Sequence, residues 1–121
     1  APRILKPSIN NQFIGQIDIF PTLMGLMNMR YTNNTLGTDI FKDPRSCIYF
    51  SADDKLGCID KQWLYIYRFN GSESLYEYTT GNKENMANTH PAELETLRKY
   101  AFSQIQTAEW MYSHNKTMIH K

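Results

Sequence analysis

The sequence predicts an α+β chain: an N-terminal helix, a small antiparallel sheet of three or four strands, and a long C-terminal packing helix. Three observations carry this. Apolar residues recur at helical spacing across 16–29 and again after Pro91. Between them lies an aromatic-rich run with two-residue alternation, broken by an Asn70-Gly71 turn signal. The connections in that run are too short for parallel crossovers.

The first helix is predicted over 16–29. Asp18 is a suitable cap, since its carboxylate can accept orphan backbone N–H groups at the positive helix end. Pro21 is tolerated in a first turn. Leu23, Leu26 and Met27, joined by Ile19 or Phe20, make the face expected to be buried. Residues 31–39 are polar and turn-rich and are expected to be a surface loop. Strands are expected over 46–51, 56–60, 62–69 and 74–79. Residues 52–55 form a turn in this reading. A polar run over 80–88 precedes the last helix, which starts at Pro91 with Thr89 or His90 as cap and frays near 113–115. Leu94, Leu97, Ala101, Ile105, Ala108 and Tyr112 form its apolar stripe, while Glu93, Glu95, Arg98 and Lys99 are assigned to water. Residues 117–121 read as a tail.

Composition narrows the function. The chain has 121 residues, one domain or part of one, and is 41% hydrophobic, which supports a modest core. Thirteen basic residues against 12 acidic ones give a net charge of +1. That balance argues against a nucleic-acid partner and against a polybasic membrane anchor. No apolar run reaches the roughly 20 residues of a membrane span. The start, Ala1-Pro2-Arg3, reads as that of a piece of a longer chain. Cys47 and Cys58 are too few for a disulfide scaffold or a four-cysteine zinc site. Pairing across a hairpin and two buried free thiols both remain open.

Candidates for chemistry are sparse. His90, His114 and His120 have no Cys or carboxylate at metal-ligand spacing. Thr22 has no activating base near it in sequence, so the first turn of a helix is its expected role. Asn33-Asn34-Thr35 matches a glycosylation acceptor pattern only weakly. The aromatics between Tyr49 and Tyr78 suit either a core or a stacking surface for sugars or bases lined by Trp63, Tyr65, Tyr67 or Tyr76. The tightest charge cluster is Asp53-Asp54-Lys55, placed in a turn.

Three separated segments, in order, carry a resemblance. GQIDIFPTLMGLM (15–27), LGTDIF (36–41), and KQWLYI (61–66) with LYEY (75–78) and ENMAN (84–88) resemble the C-terminal part of sulfatases and their relatives in the alkaline-phosphatase superfamily. The pattern is most similar to the lipoteichoic-acid-synthase-like phosphoglycerol and phosphoethanolamine transferases. The last match departs from the family, with Gly81-Asn82 where Asp-Pro is usual. The resemblance implies an extracytoplasmic parent enzyme, often membrane-anchored. There a metal-bound Thr, Ser or formylglycine attacks a phosphate or sulfate ester, aided by a divalent Mn, Zn, Ca or Mg ion. The nucleophile and metal ligands of that family lie upstream of the matched segments, so none is carried onto this chain, and Thr22 is not the nucleophile. The resemblance implies one C-terminal subdomain over 1–121, in which 1–45 back the main sheet and 46–121 form the antiparallel sheet and its helix. Its partner would be the upstream catalytic domain of the same parent. Self-association is expected if that partner is missing. Asp53, Asp54 and Lys55 are the only residues expected to reach toward substrate.

Overall fold

The computed structural model describes residues 6–114. A 3-10 turn at Gln16–Asp18 runs into helix α1, Ile19–Leu26. Four strands follow: β1 (Ile48–Ala52), β2 (Lys55–Ile59), β3 (Trp63–Arg68) and β4 (Glu73–Glu77). A second 3-10 turn, Tyr78–Thr80, precedes helix α2, Pro91–Ser113. The strands form an antiparallel meander in the order β1-β2-β3-β4, giving the α+β architecture that the sequence predicts. The predicted tail at 117–121, with His120, lies outside the described residues.

Register decides which side chains meet. Tyr49, Cys58, Tyr65 and Leu75 lie in one cross-strand row, and Ser51, Leu56, Tyr67 and Glu73 in the next. Side chains alternate between sheet faces, so both rows share a face. Leu94, Leu97 and Ala101 of α2 close over that face, making one core with Cys47, Leu56, Cys58, Trp63, Tyr65 and Leu75. On the opposite face Ile48, Ile59, Leu64, Ile66 and Tyr76 are only half-buried. The apolar run in β3 leads one to expect cover on both faces, and α2 supplies it on one. The aromatic stacking surface is corrected as well. Trp63 and Tyr65 are buried, and Tyr67 packs edge-on against Phe102 at 5.2 Å.

The hairpins follow from turn chemistry. Gly71 takes φ +89°, which an Asn-Gly turn supplies cheaply. Asp53 takes φ +45°, a region that Asp tolerates better than most residues. The outer edge of β4 is covered by a side chain. Asn85 accepts a hydrogen bond from the Leu75 N–H at 2.9 Å and donates to the Glu73 carbonyl at 3.2 Å, while the Met86 N–H reaches the Leu75 carbonyl at 2.8 Å. This blocks further strand addition at that edge.

Helix α1 is shorter than the predicted 16–29 because it ends in a Schellman motif. Asn28 adopts φ +51° and its N–H bonds the Gly25 carbonyl, while the Met29 N–H bonds the Met24 carbonyl. Its packing reverses the expected orientation. Pro21, Thr22 and Met24 are the buried residues, whereas Ile19, Leu23 and Met27 are 57%, 49% and 48% exposed. The reason lies in the loop assigned to the surface and the residue after it: Gly37 and Ile40 are buried against α1. The Ile40 N–H donates to the Thr22 hydroxyl at 3.2 Å. Thr22 thus ties helix to loop.

Gly37 is the tightest point of that contact. A Cβ there would sit 2.0 Å from the Ile17 carbonyl oxygen and 3.0 Å from Pro21. Gly37→Ala is expected to cost about 1–3 kcal/mol in urea unfolding, toward the upper end because backbone must move. Gly57→Ala is the contrast. There the clashing atom is the Phe50 ring tip at 2.1 Å, and that half-exposed ring can swing aside, so its cost should be the smaller of the two.

Candidate functional site

Asp53, Asp54 and Lys55 sit at the exposed tip of the β1–β2 hairpin, where Ala52 pairs with Lys55. Lys55 Nζ lies 3.1 Å from an Asp54 carboxylate oxygen. The hydrogen bond from Lys55, with its charge, holds the Asp54 carboxyl below its ordinary value. The Asp54 carbonyl accepts the Phe69 N–H at 3.0 Å, linking the two hairpin tips. Beside Asp53, an open cleft of about 430 Å³ runs between the hairpin tip and α2, walled by Leu56, Phe69, Phe102 and Glu109. Arg68, opposite Lys55 in the β2–β3 register, adds a weaker pull on Asp54, and all three tip residues are solvent-exposed, as hairpin-tip charges usually are.

The histidines do not converge. His90 lies tilted against Trp63 at 4.8 Å before α2, and His114 stacks at 4.5 Å on Trp110 near the helix end. Among the described residues no three His, Cys, Asp or Glu side chains come together where a metal ion could be held. This donor set does not fit the divalent ion that the resemblance implies for the parent, and no metal-assisted step is assigned to these residues.

The most organised polar centre was not foreseen in this form. Asp18 is fully buried, and Arg45 is 9% exposed at its side chain. Arg45 Nε donates to both Asp18 oxygens, at 2.7 and 2.8 Å. The Gly15 N–H reaches one of these oxygens at 2.9 Å and the Thr38 N–H the other at 2.9 Å. Arg45 also donates to the Leu36 carbonyl and, at 3.2 Å, to the Tyr100 hydroxyl, which in turn donates to the Cys47 carbonyl at 2.9 Å. One arginine therefore joins α1, the following loop, the start of β1 and α2. Burial works against its charge, but Asp18, with Tyr100, outweighs this and holds the guanidinium above its ordinary value.

This corrects the capping role expected of Asp18, whose carboxylate makes no bond to the N-terminus of α1. It reaches back to Gly15, as the acid of a capping box does for the residue three before it. Sequence reasoning missed Arg45. An acid inside an apolar helical pattern was the one available signal, because a buried charge demands a partner.

A second ionic cluster joins β4 to α2. Arg98, assigned to water from the sequence, forms a two-pronged pair with Glu73 and also meets Glu95. The Tyr65 hydroxyl donates to Glu73 at 2.6 Å. Arg98 in first place, with Tyr65 assisting against burial, holds the Glu73 carboxyl below its ordinary 4.5. The folded chain therefore binds a proton here less readily than the unfolded chain. The resulting stability is present above the ordinary value and is lost as pH falls below it. Arg98→Gln should flatten the loss of stability between about pH 5 and pH 3. Arg98 is 36% exposed at its side chain, so water screens the pair. The difference should be about 0.5–1 kcal/mol by urea titration at each pH.

Searched against known proteins, the chain matches no family model and no curated protein.

Proposed function

We propose that this chain is the C-terminal, non-catalytic portion of an extracytoplasmic, metal-dependent sulfatase-like enzyme acting on phosphate or sulfate esters. In this reading it packs against the upstream catalytic domain and closes one side of the substrate cleft. The observation that carries the proposal is the outward apolar face of α1. Ile19, Leu23, Leu26 and Met27 lie together at helical spacing, 38–57% exposed, on a helix held by a buried ion pair. A contiguous exposed apolar surface marks a contact site. The same residues lie inside GQIDIFPTLMGLM, the segment most similar to that superfamily. A helix that backs a main sheet in the complete enzyme would present such a face.

In this proposal Asp53, Asp54 and Lys55 border the substrate cleft without forming bonds in the reaction. The divalent ion and the nucleophile belong to the upstream domain. The purified chain, supplied with Mn, Zn, Ca or Mg ions, should show no turnover of sulfate monoesters, phosphate monoesters or phosphate diesters. Turnover above a heat-denatured control would overturn the assignment. A catalytic domain from a longer form of the protein, supplied as a separate polypeptide, should bind the chain through α1.

The second reading, a structural or dimerisation module, rests on the same exposed face. It predicts saturable self-association and no affinity for a catalytic domain.

A further inference from the structure

The thiols of Cys47 and Cys58 belong to neither ionic cluster, yet they share one core. Both are free thiols beneath α2. Cys58 pairs with Tyr49 in the β1–β2 register, and Cys47 lies two residues before Tyr49 on the same strand path. The two cysteines are therefore diagonal neighbours on one sheet face. Cys58 is fully buried and Cys47 keeps 9% of its surface exposed. Cys47 precedes the first ladder pair, Ile48 with Ile59, so its backbone can shift without breaking a β1–β2 ladder bond.

We propose that Cys47 and Cys58 form a reversible dithiol–disulfide site, with Cys47 as the attacking thiol, Cys58 as the resolving thiol, and a small-molecule disulfide as the co-reactant. The Cys47 thiolate attacks one sulfur of the reagent, forming a mixed disulfide and releasing one thiol. Cys58 then gives up its proton and attacks the Cys47 sulfur, releasing the second thiol. The two cysteines lose two electrons and two protons, and the reagent gains both.

Exposure assigns the roles, since Cys47 reaches the surface and Cys58 does not. The neighbouring Cys58 thiol draws the Cys47 thiol below its ordinary value, against burial and the nearby Asp60. Cys47 and then burial hold Cys58 above its own, with Asp60 adding to the effect. The thiolate is the nucleophile, so attack belongs to the lower and more accessible of the two. Diagonal neighbours stand slightly farther apart than a disulfide prefers, so closure needs a small shift; Cys47 lies outside the β1–β2 ladder, and the Tyr100 hydroxyl that its carbonyl holds must move with it. The product ties the edge strand to its neighbour next to the Arg45 joint. The inference does not depend on the enzyme assignment, since it concerns only thiols of this chain.

The test uses hydroxyethyl disulfide on the native full chain, followed by intact mass under non-reducing conditions. Wild type should lose the mass of two hydrogens and yield one peptide pair joining Cys47 to Cys58. Its urea midpoint should rise and return on reduction. Cys58→Ser should stop with one hydroxyethylthio group attached, whereas Cys47→Ser should take none in the same time. The wild-type measurement decides the matter even if a variant folds poorly. A stable mixed disulfide as the wild-type end product, or reaction only in urea, would overturn the proposal.

Discussion

Replacing Arg45 by Met should lower the stability of the chain by about 3–5 kcal/mol, a large part of what a small domain has. The cause is the charge left behind. Asp18 is fully buried, and Arg45 is its only cationic partner among the described residues. The two remaining donors, the Gly15 and Thr38 N–H groups, are dipoles that cannot replace a guanidinium. Methionine fills similar space, so the loss would reflect an unpaired carboxylate rather than a cavity. The Leu36 carbonyl and Tyr100 hydroxyl would also lose a donor. Urea unfolding followed by far-UV circular dichroism reads the change. A loss below about 1 kcal/mol would show that the pair behaves as an exposed one.

The partner change sharpens the interpretation. Asp18→Asn keeps the shape and removes the charge, leaving Arg45 buried without its counter-ion. Combining Asp18→Asn with Arg45→Met should cost less than the sum of the two single changes, because neither charge is then stranded. Recovery should be incomplete. An amide cannot accept all the bonds that the carboxylate takes from Gly15, Thr38 and Arg45. A double variant at the sum of the singles would mean that the two residues act independently, contrary to the geometry.

Legibility followed interaction range. The four strands and α2 were readable because two-residue alternation, Asn70-Gly71 and Pro91 are local signals. The stripe Leu94, Leu97 and Ala101 is buried as its spacing implied. Tyr112 belongs to the same stripe yet is 67% exposed, since periodicity does not say where the sheet beneath a helix ends. The face of α1 was misassigned for a related reason. Its apolar stripe was read as inward, but Thr22 and Pro21 turn inward because a glycine-bearing loop passes beneath them. Arg45, 27 residues from Asp18, left no periodic trace. Asp53 and Asp54 were correctly placed in a turn, whereas Lys55 already opens β2, and adjacency in sequence said nothing of what surrounds them in space.

Substituting Ile19 and Leu23 together by Glu should leave the fold intact and weaken docking on α1 by about 100-fold or more. The two residues stand four apart on one helix face and are about half exposed. They therefore contribute little to the isolated fold, and surface changes of this kind stay within about 0.5 kcal/mol. Glu is a good helix former, and at position 19 it lies near the positive end of α1. In a complex, full burial of such side chains is worth about 1.5–3 kcal/mol each, part of which the free chain already has. A carboxylate buried there without a partner adds a further penalty. Losing about 1.4 kcal/mol at each position gives the stated factor. Sedimentation of the chain alone and titration with a separately supplied catalytic domain distinguish the readings. If wild type binds the domain and the double variant does not, α1 is the docking face of the proposed enzyme. If wild type instead forms a dimer that the variant dissolves, and the domain never binds, α1 is a self-association face and the sulfatase-like assignment fails.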